Sequence, residues 1–189
     1  MAVRVLGVAG ALRRGSYNRR LLRAAARRLP PEAEWVEYRA LKSLPPFDED
    51  DEPAPGPAVE DWREALAHAD ALLFATPEYN ASIPGWLKNA VDWGSRPFAD
   101  PVLRNKPAAV IGASTGMFGG VWAQAELRKA LSTAGARVLD RELPVPNVDE
   151  AFDENGELHD ADLAAELESI VHELVETAER RQELLGARA

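Results

Sequence analysis

Three short stretches carry residues whose types and spacing could do chemistry: GALRRGSYN (residues 10–18), PEYNASIPG (77–85) and GASTGMFGG (112–120). The first places Arg13, Arg14, Ser16 and Asn18 between an apolar run, residues 2–9, and the segment NRRLLRAAARRL, which carries Leu21, Leu22, Ala25 and Leu29 on one helical face. A turn at that point sits at a helix N-terminus, where unpaired backbone N–H groups and the positive end of the helix dipole favour an anion. Two arginines and two short polar side chains there point to a phosphate. Residues 10–15 have the G-x-x-x-x-G spacing of a Walker A loop, but Ser16 and Tyr17 stand where a lysine and a hydroxyl residue belong, so the parts that handle terminal phosphates and magnesium are missing. The G-x-G-x-x-G fingerprint is missing as well, because Gly7 and Gly10 are wrongly spaced.

In the second stretch, Pro77 and Pro84 restrict the backbone, while Asn80 and Ser82 can bond locally to hold a tight turn. A rigid edge of that kind can present backbone N–H and C=O groups to a heterocycle, or it can simply end a strand and start a proline-capped helix. The third stretch contains Gly112-Ala113-Ser114-Thr115-Gly116, a match to the G-x-S-x-G nucleophile elbow of an α/β-hydrolase. Asp140 or Asp149 followed by His159 satisfies the chain order of such a triad. Against it, Gly119 and Gly120 postpone the helix and no HGGG-like oxyanion segment is present. These glycines also give a ring system room to approach the backbone.

Alternating elements must position these stretches. Strand patterns at residues 2–9, 33–39, 70–76, 107–114 and 137–139 alternate with helical patterns at 18–29, 58–69, 85–93, 120–134 and 160–185. Alternation of this kind predicts an α/β fold, a doubly wound five-stranded parallel sheet with helices on both faces and one domain over residues 1–189. All three stretches follow predicted strands, so they should share the rim where open sheets of this class bind ligands. On such a sheet, FMN is the common cofactor that offers a single terminal phosphate.

Composition narrows the classes further. The chain of 189 residues has a net charge of −9, which argues against a general nucleic-acid binder. The charge is uneven: residues 1–31 hold eight arginines and no acid. Arg19, Arg20, Arg23, Arg27 and Arg28 oppose the leucine face and read as a solvated helix surface, whereas Arg13 precedes the helix. No cysteine is present, which excludes disulfides and thiolate ligands, and the three histidines form no metal-binding pair. No apolar run approaches the roughly 18 residues of a membrane span, and no signal-peptide layout is visible, so the expectation is a soluble cytoplasmic protein. The acidic run 48–52 reads as a solvated loop. Residues 151–162 place Asp153, Asn155 and Gly156 at EF-hand spacing but begin with Ala151, and read as a polar turn before the last helix.

GALRRGSYN, TPEYNASIPGWLKNAVDW and GASTGMFGG, in this order, resemble the NADPH-dependent FMN reductase family, which includes related quinone, chromate and azo-dye reductases. The resemblance runs from residue 3 to roughly residue 175, and its middle motif is the most specific. It implies a flavodoxin-like fold, FMN as cofactor and NADPH or NADH as co-substrate. It implies that the FMN phosphate lies on Ala11, Leu12, Arg13, Ser16, Tyr17 and Asn18, that the ribityl chain and ring lie on Pro77, Glu78, Tyr79 and Asn80, and that Ser114 and Gly116 stand beside the flavin. Glu78 is expected to act through its backbone or a helix contact. Many members have serine where this chain has Ala11, so the backbone there or Arg13 would carry more of the phosphate contact. Flavin sites at dimer interfaces imply a homodimer or dimer of dimers, with Trp86 and Trp93 on one helix side as core or contact residues. The implied reaction passes a hydride from NAD(P)H through bound FMN to a small-molecule acceptor: a quinone, free flavin, azo dye or metal oxyanion. A flavodoxin-like electron carrier and a serine hydrolase using Ser114 are the alternatives.

Overall fold

The computed structural model describes residues 2–187. Strands β1 (Arg4–Ala9), β2 (Glu34–Tyr38), β3 (Ala71–Thr76), β4 (Pro107–Ala113), β5 (Arg137–Val138) and β6 (Pro144–Val145) alternate with helices α1 (Tyr17–Ala26), α2 (Pro57–His68), α3 (Gly85–Gly94), α4 (Val121–Thr133) and α5 (Ala161–Gly186). All strand pairings are parallel, in the order β2-β1-β3-β4-β5, with β6 also on β4. This is the flavodoxin-like winding, whose order reverses between β1 and β3.

The apolar strands are buried on both sides, as parallel strands covered by helices must be. Side chains alternate across the pleat: Val5, Ala9, Leu73, Ala75 and Ile111 pack under α1 and α5, while Leu6, Val8, Leu72, Phe74 and Val110 pack under α2, α3 and α4. Trp35 lies across β1 so closely that a Cβ on Gly7 would meet its ring at 2.1 Å. Trp93 is fully buried, with its indole N–H donating to the Pro45 carbonyl at 2.9 Å. It belongs to the core, and the expectation that it could serve as a contact residue is corrected accordingly.

The fifth edge position is shared by two short segments, where the sequence pattern predicts one strand. Beside β4, Arg137 and Val138 face Pro107 and Ala108, while Pro144 and Val145 face Gly112 and Ala113. The chain between them is two residues longer than the stretch of β4 it passes, so the ladder is interrupted there. That interruption holds the charged triplet Asp140-Arg141-Glu142. Arg141 reaches Glu166 at 2.7 Å and Glu173 at 2.8 Å on α5, whereas Asp140 and Glu142 both reach Arg128 on α4. The break thus joins the helices on the two faces of the sheet by ion pairs. Another difference concerns the arginines of α1. Arg19 pairs with Glu37, and Arg27 and Arg28 both grip Glu157, so these three are structural ties rather than a solvated face. Among the described residues, no helix is long and apolar enough to cross a membrane.

Candidate functional site

The loops after β1, β3 and β4 converge at the carboxyl ends of the strands. Loop 1 (residues 10–16) begins with Gly10, whose N–H donates to the Ala75 carbonyl at 2.8 Å and whose carbonyl accepts the Trp86 indole N–H at 2.6 Å. A Cβ on Gly10 would stand 2.7 Å from the end of the Leu87 side chain on α3 and 3.1 Å from the Pro77 ring, so a larger residue there would have to displace Leu87. Ser16 caps α1: its hydroxyl oxygen accepts the Arg19 N–H at 3.3 Å, which leaves the hydroxyl proton free to donate. The backbone N–H groups of residues 12–18 have no protein acceptor among the described residues. Ala11 and Asn18 are buried, Leu12 and Tyr17 partly so, and Arg13 is exposed with its guanidinium 5.2 Å from the Tyr17 ring centre. The result is a row of donors with two exposed arginines, Arg13 and Arg14, at the start of a helix.

Asn18 is turned away from that row. Its carboxamide N–H donates to the Ala113 carbonyl at 2.9 Å, and its oxygen accepts the Ala113 N–H at 3.0 Å. Both bonds are buried, and they fasten the first turn of α1 to the end of β4.

Loop 2 (residues 77–84) is a two-residue hairpin. Tyr79 and Ser82 exchange backbone hydrogen bonds at 2.9 and 3.1 Å, and Asn80 and Ala81 both take positive φ, 53° and 58°. This is the pair of left-handed residues that the tightest hairpins use. Asn80 serves through its backbone, as asparagine tolerates that region; Ser82 spends its hydroxyl on Glu126. Pro77 is buried at the base, and the N–H groups of Glu78 and Asn80 have no protein acceptor among the described residues. The Glu78 carboxylate accepts the Ala123 N–H at 3.1 Å, capping α4, whose N-cap Gly120 has no side chain to do so. Glu78 therefore makes the expected helix contact. Tyr79 is 42% exposed, with its ring centre 5.9 Å from that of Trp86 in an edge-on arrangement.

Loop 3 (residues 114–120) starts where β4 meets β6. The Ser114 hydroxyl oxygen accepts the Gly116 N–H at 3.1 Å, and the Ser114 backbone bonds to Val145 and Val148. Gly116 is exposed and its neighbours Met117 and Phe118 are 72% and 56% exposed. Gly119 has φ 59°, and a Cβ there would lie 2.6 Å from the Pro144 backbone, so no side chain fits. Gln124 was not singled out by sequence reasoning. Its fully buried carboxamide lies against Gly112, accepts the Leu143 N–H at 3.0 Å and approaches the Gly119 and Gly120 carbonyls at 3.4 Å. The signal was a glutamine on the apolar face of α4, three residues before Leu127. Trp86 is expected from the sequence as a core or subunit-contact residue; its indole bond across to loop 1 has no local signature.

The hydrolase constellation does not assemble. His159 and Asp149 are exposed, Asp140 is engaged by Arg128, and no hydrogen bond among the described residues joins Ser114 to a histidine. Nor do the described residues hold a cluster of His, Cys, Asp or Glu fit for a metal ion; Asp153 instead accepts the N–H groups of Asn155 and Glu157 in a polar turn.

Residues 3–150 match the model of the NADPH-dependent FMN reductase family. The chain belongs to that family. It is 46% identical over 168 residues to an NAD(P)H-dependent FMN reductase of Pseudomonas aeruginosa, covering 87% of this chain and 89% of that one. A quinone reductase of Pseudomonas putida is 38% identical over 155 residues, covering 81% and 83%. Among solved structures, the flavoenzyme NAD(P)H:(acceptor) oxidoreductase FerB from Paracoccus denitrificans superposes with a TM-score of 0.83 at 31% identity, covering 95% of this chain and 98% of that one.

The hairpin gives a test of the site's local strain. Ala81 pays a steric cost at φ 58° that glycine would not. Ala81→Gly should therefore raise unfolding stability by about 0.5–1 kcal/mol, the steric relief exceeding the added freedom of the unfolded chain. Urea unfolding curves of the two proteins check it; a lower midpoint for the glycine variant refutes the strain.

Proposed function

We propose that the three loops hold FMN, and that this member of the family is an NAD(P)H-dependent reductase whose acceptor is a small planar oxidant of the quinone class. The observation that carries this reading is the donor set of loop 1. A row of unaccepted N–H groups, a free hydroxyl proton on Ser16 and the exposed Arg13 suit one terminal phosphate at a helix N-terminus. When bound there, FMN supplies hydride acceptance from NAD(P)H and hydride delivery to the acceptor.

The chain's own residues bind and orient. Ser16, Arg13 and the N–H groups from Ala11 to Tyr17 take the phosphate, and Leu12 lies alongside. Asn18 acts by position, since its carboxamide is committed to Ala113. Pro77, Glu78, Tyr79 and Asn80 form the rigid edge for the ring, with the free N–H groups of Glu78 and Asn80 as donors. Ser114 retains a hydroxyl proton while accepting from Gly116, and can donate one hydrogen bond toward the ring. The glycines of loop 3 keep side chains off that face. No protein nucleophile takes part. The cytoplasm, where NAD(P)H is made and used, is the proposed location.

We also propose a homodimer or a dimer of dimers. What supports it is the incompleteness of the rim in one chain: Met117, Phe118, Trp122 and Tyr79 are all more than 40% exposed around the open loops. A groove of 840 Å³ between α3 and α4, lined in part by Ile83, Val91 and Phe98, lies on the side of loop 2 where a second copy would close it.

Three measurements test these readings. Arg13→Ala should weaken FMN binding about ten- to a hundredfold, the value of a charge-assisted contact of about 1.5–3 kcal/mol. The exposed Arg23 serves as the control; Arg27 does not, because it holds Glu157. Unchanged FMN affinity in Arg13→Ala, read by flavin fluorescence titration, removes the phosphate assignment. Ser114→Ala should retain FMN and change NADPH-dependent quinone reduction by about tenfold at most, since one hydrogen bond near the ring is worth roughly 0.5–1.5 kcal/mol. Complete loss of turnover, together with labelling of wild-type Ser114 by a fluorophosphonate, would restore the hydrolase. Light scattering at micromolar concentration should give the mass of a dimer or tetramer, and a fully active monomer contradicts that assembly.

A further inference from the structure

Many arginines and lysines of this acidic chain have no carboxylate partner among the described residues, and two groups of neighbouring cations stand out among them. One is loop 1, with Arg13 and Arg14. The other is at the opposite, amino-terminal edge of the sheet. There Arg104 and Lys106 precede β4, Arg137 opens β5 and Arg181 comes from the last turns of α5. These four line a pocket of 460 Å³ with a single acid, Asp100, and with Leu184 and Leu185, which are 58% and 52% exposed. Among the described residues none of the four forms an ion pair.

Lys106 explains why this cluster is unbalanced. Its side chain is threaded under the end of α2, and the ammonium donates to the carbonyls of Leu66, Ala67 and Ala69. That uses all three of its protons on neutral groups. Burial pushes its pKa down to about 8, the Arg181 guanidinium pushes it the same way, and Asp70 opposes them. The ammonium therefore contributes field rather than a contact to the pocket. Around it, Arg104 makes one long hydrogen bond, to the Phe98 carbonyl at 3.4 Å, and the guanidinium groups of Arg137 and Arg181 have no hydrogen-bond partner within the pocket. Several cations held together with their donors unspent repel one another and lower the energy of any anion placed between them. Planar guanidinium forks match the oxygens of a phosphate in particular.

We propose that this pocket binds a phosphate group, free or carried on a small organic molecule whose body would lie against Leu184 and Leu185. The site is independent of the flavin loops. The seven-residue strand β4 separates the two, which at about 3.3 Å per residue is roughly 20 Å. Arg137 and Arg181 provide the contacts, and Lys106 and Arg104 the supporting charge.

Calorimetric titration of the full-length, FMN-loaded protein with adenosine monophosphate and with inorganic phosphate tests this. Both should bind, and both should weaken by about tenfold or more in the double variant Arg137→Ala/Arg181→Ala, as loss of charge-assisted contacts requires. Thermal midpoint and flavin content should be unchanged in that variant, because Arg137 is exposed, Arg181 is half-buried, and neither side chain makes an ion pair or hydrogen bond among the described residues. Arg13→Ala, at the other end of the sheet, should leave this binding intact, which separates the pocket from the flavin site. Tighter binding of the nucleotide supports an organic phosphate lying on Leu184 and Leu185, and equal affinities support free phosphate. Absence of binding by either probe at millimolar concentration, or binding that survives the double variant, overturns the proposal.

Discussion

The three rim loops can act together only because their backbones are fastened to one another, and the principal fastening is the buried pair of hydrogen bonds between Asn18 and Ala113. The carboxamide satisfies both the donor and the acceptor of a residue at the end of β4, a place where the sheet ladder runs out. Leaving either group unpaired in the interior would be expensive, so α1 and β4 hold a single relation to each other. Gly10 does the same between loop 1 and the elements that flank loop 2, bonded to Ala75 of β3 on one side and to the Trp86 indole of α3 on the other. Glu78 and Gln124 complete the frame by tying loop 2 and the β4–β6 junction to the start of α4.

Because structural side chains carry the fastening, the backbone donors of the loops are left for a ligand. Residues 12–18 keep their N–H groups free while Ser16 caps the helix and Asn18 anchors it. Loop 2 spends the N–H of Tyr79 on its hairpin and spares those on either side. Preorganised donors of this kind bind without the cost of ordering a loop. Glycine is needed where two backbones nearly touch, at Gly119 against Pro144 and Val145.

The arginines divide between two duties. Arg141 and Arg128 bind the broken edge strand to the helices above and below it, and Arg27 and Arg28 hold the turn before α5 against the end of α1. Such pairs are individually weak where exposed, yet those of Arg27, Arg28 and Arg141 join elements well apart in the chain. Two groups of the cations left over lie at opposite ends of the sheet, one at the rim loops and one under α2 and α5. In a chain of net charge −9, that separation concentrates positive potential at two small sites.

The sequence by itself determined the fold class and the anion-seeking character of loop 1. Both are local properties: hydrophobic period reports which faces are covered, and a turn leading into a helix exposes its N–H groups whatever the rest of the chain does. It also determined which three loops meet, since each follows a strand of the same parallel sheet. The tertiary structure alone decided what individual side chains do there. Asn18 reads as a ligand contact in its motif but has its partner 95 residues away, and Arg27, indistinguishable from a solvated residue in its helix, meets Glu157 at a separation of 130. Trp93 shows a helical face without showing what covers it, and Pro45 does so from 48 residues back. The division of the edge strand was equally hidden, because the charged triplet that interrupts it finds its partners on α4 and α5. Local pattern states what a residue prefers; the long-range partner it meets when the layers close determines whether its donors and charges remain free for function.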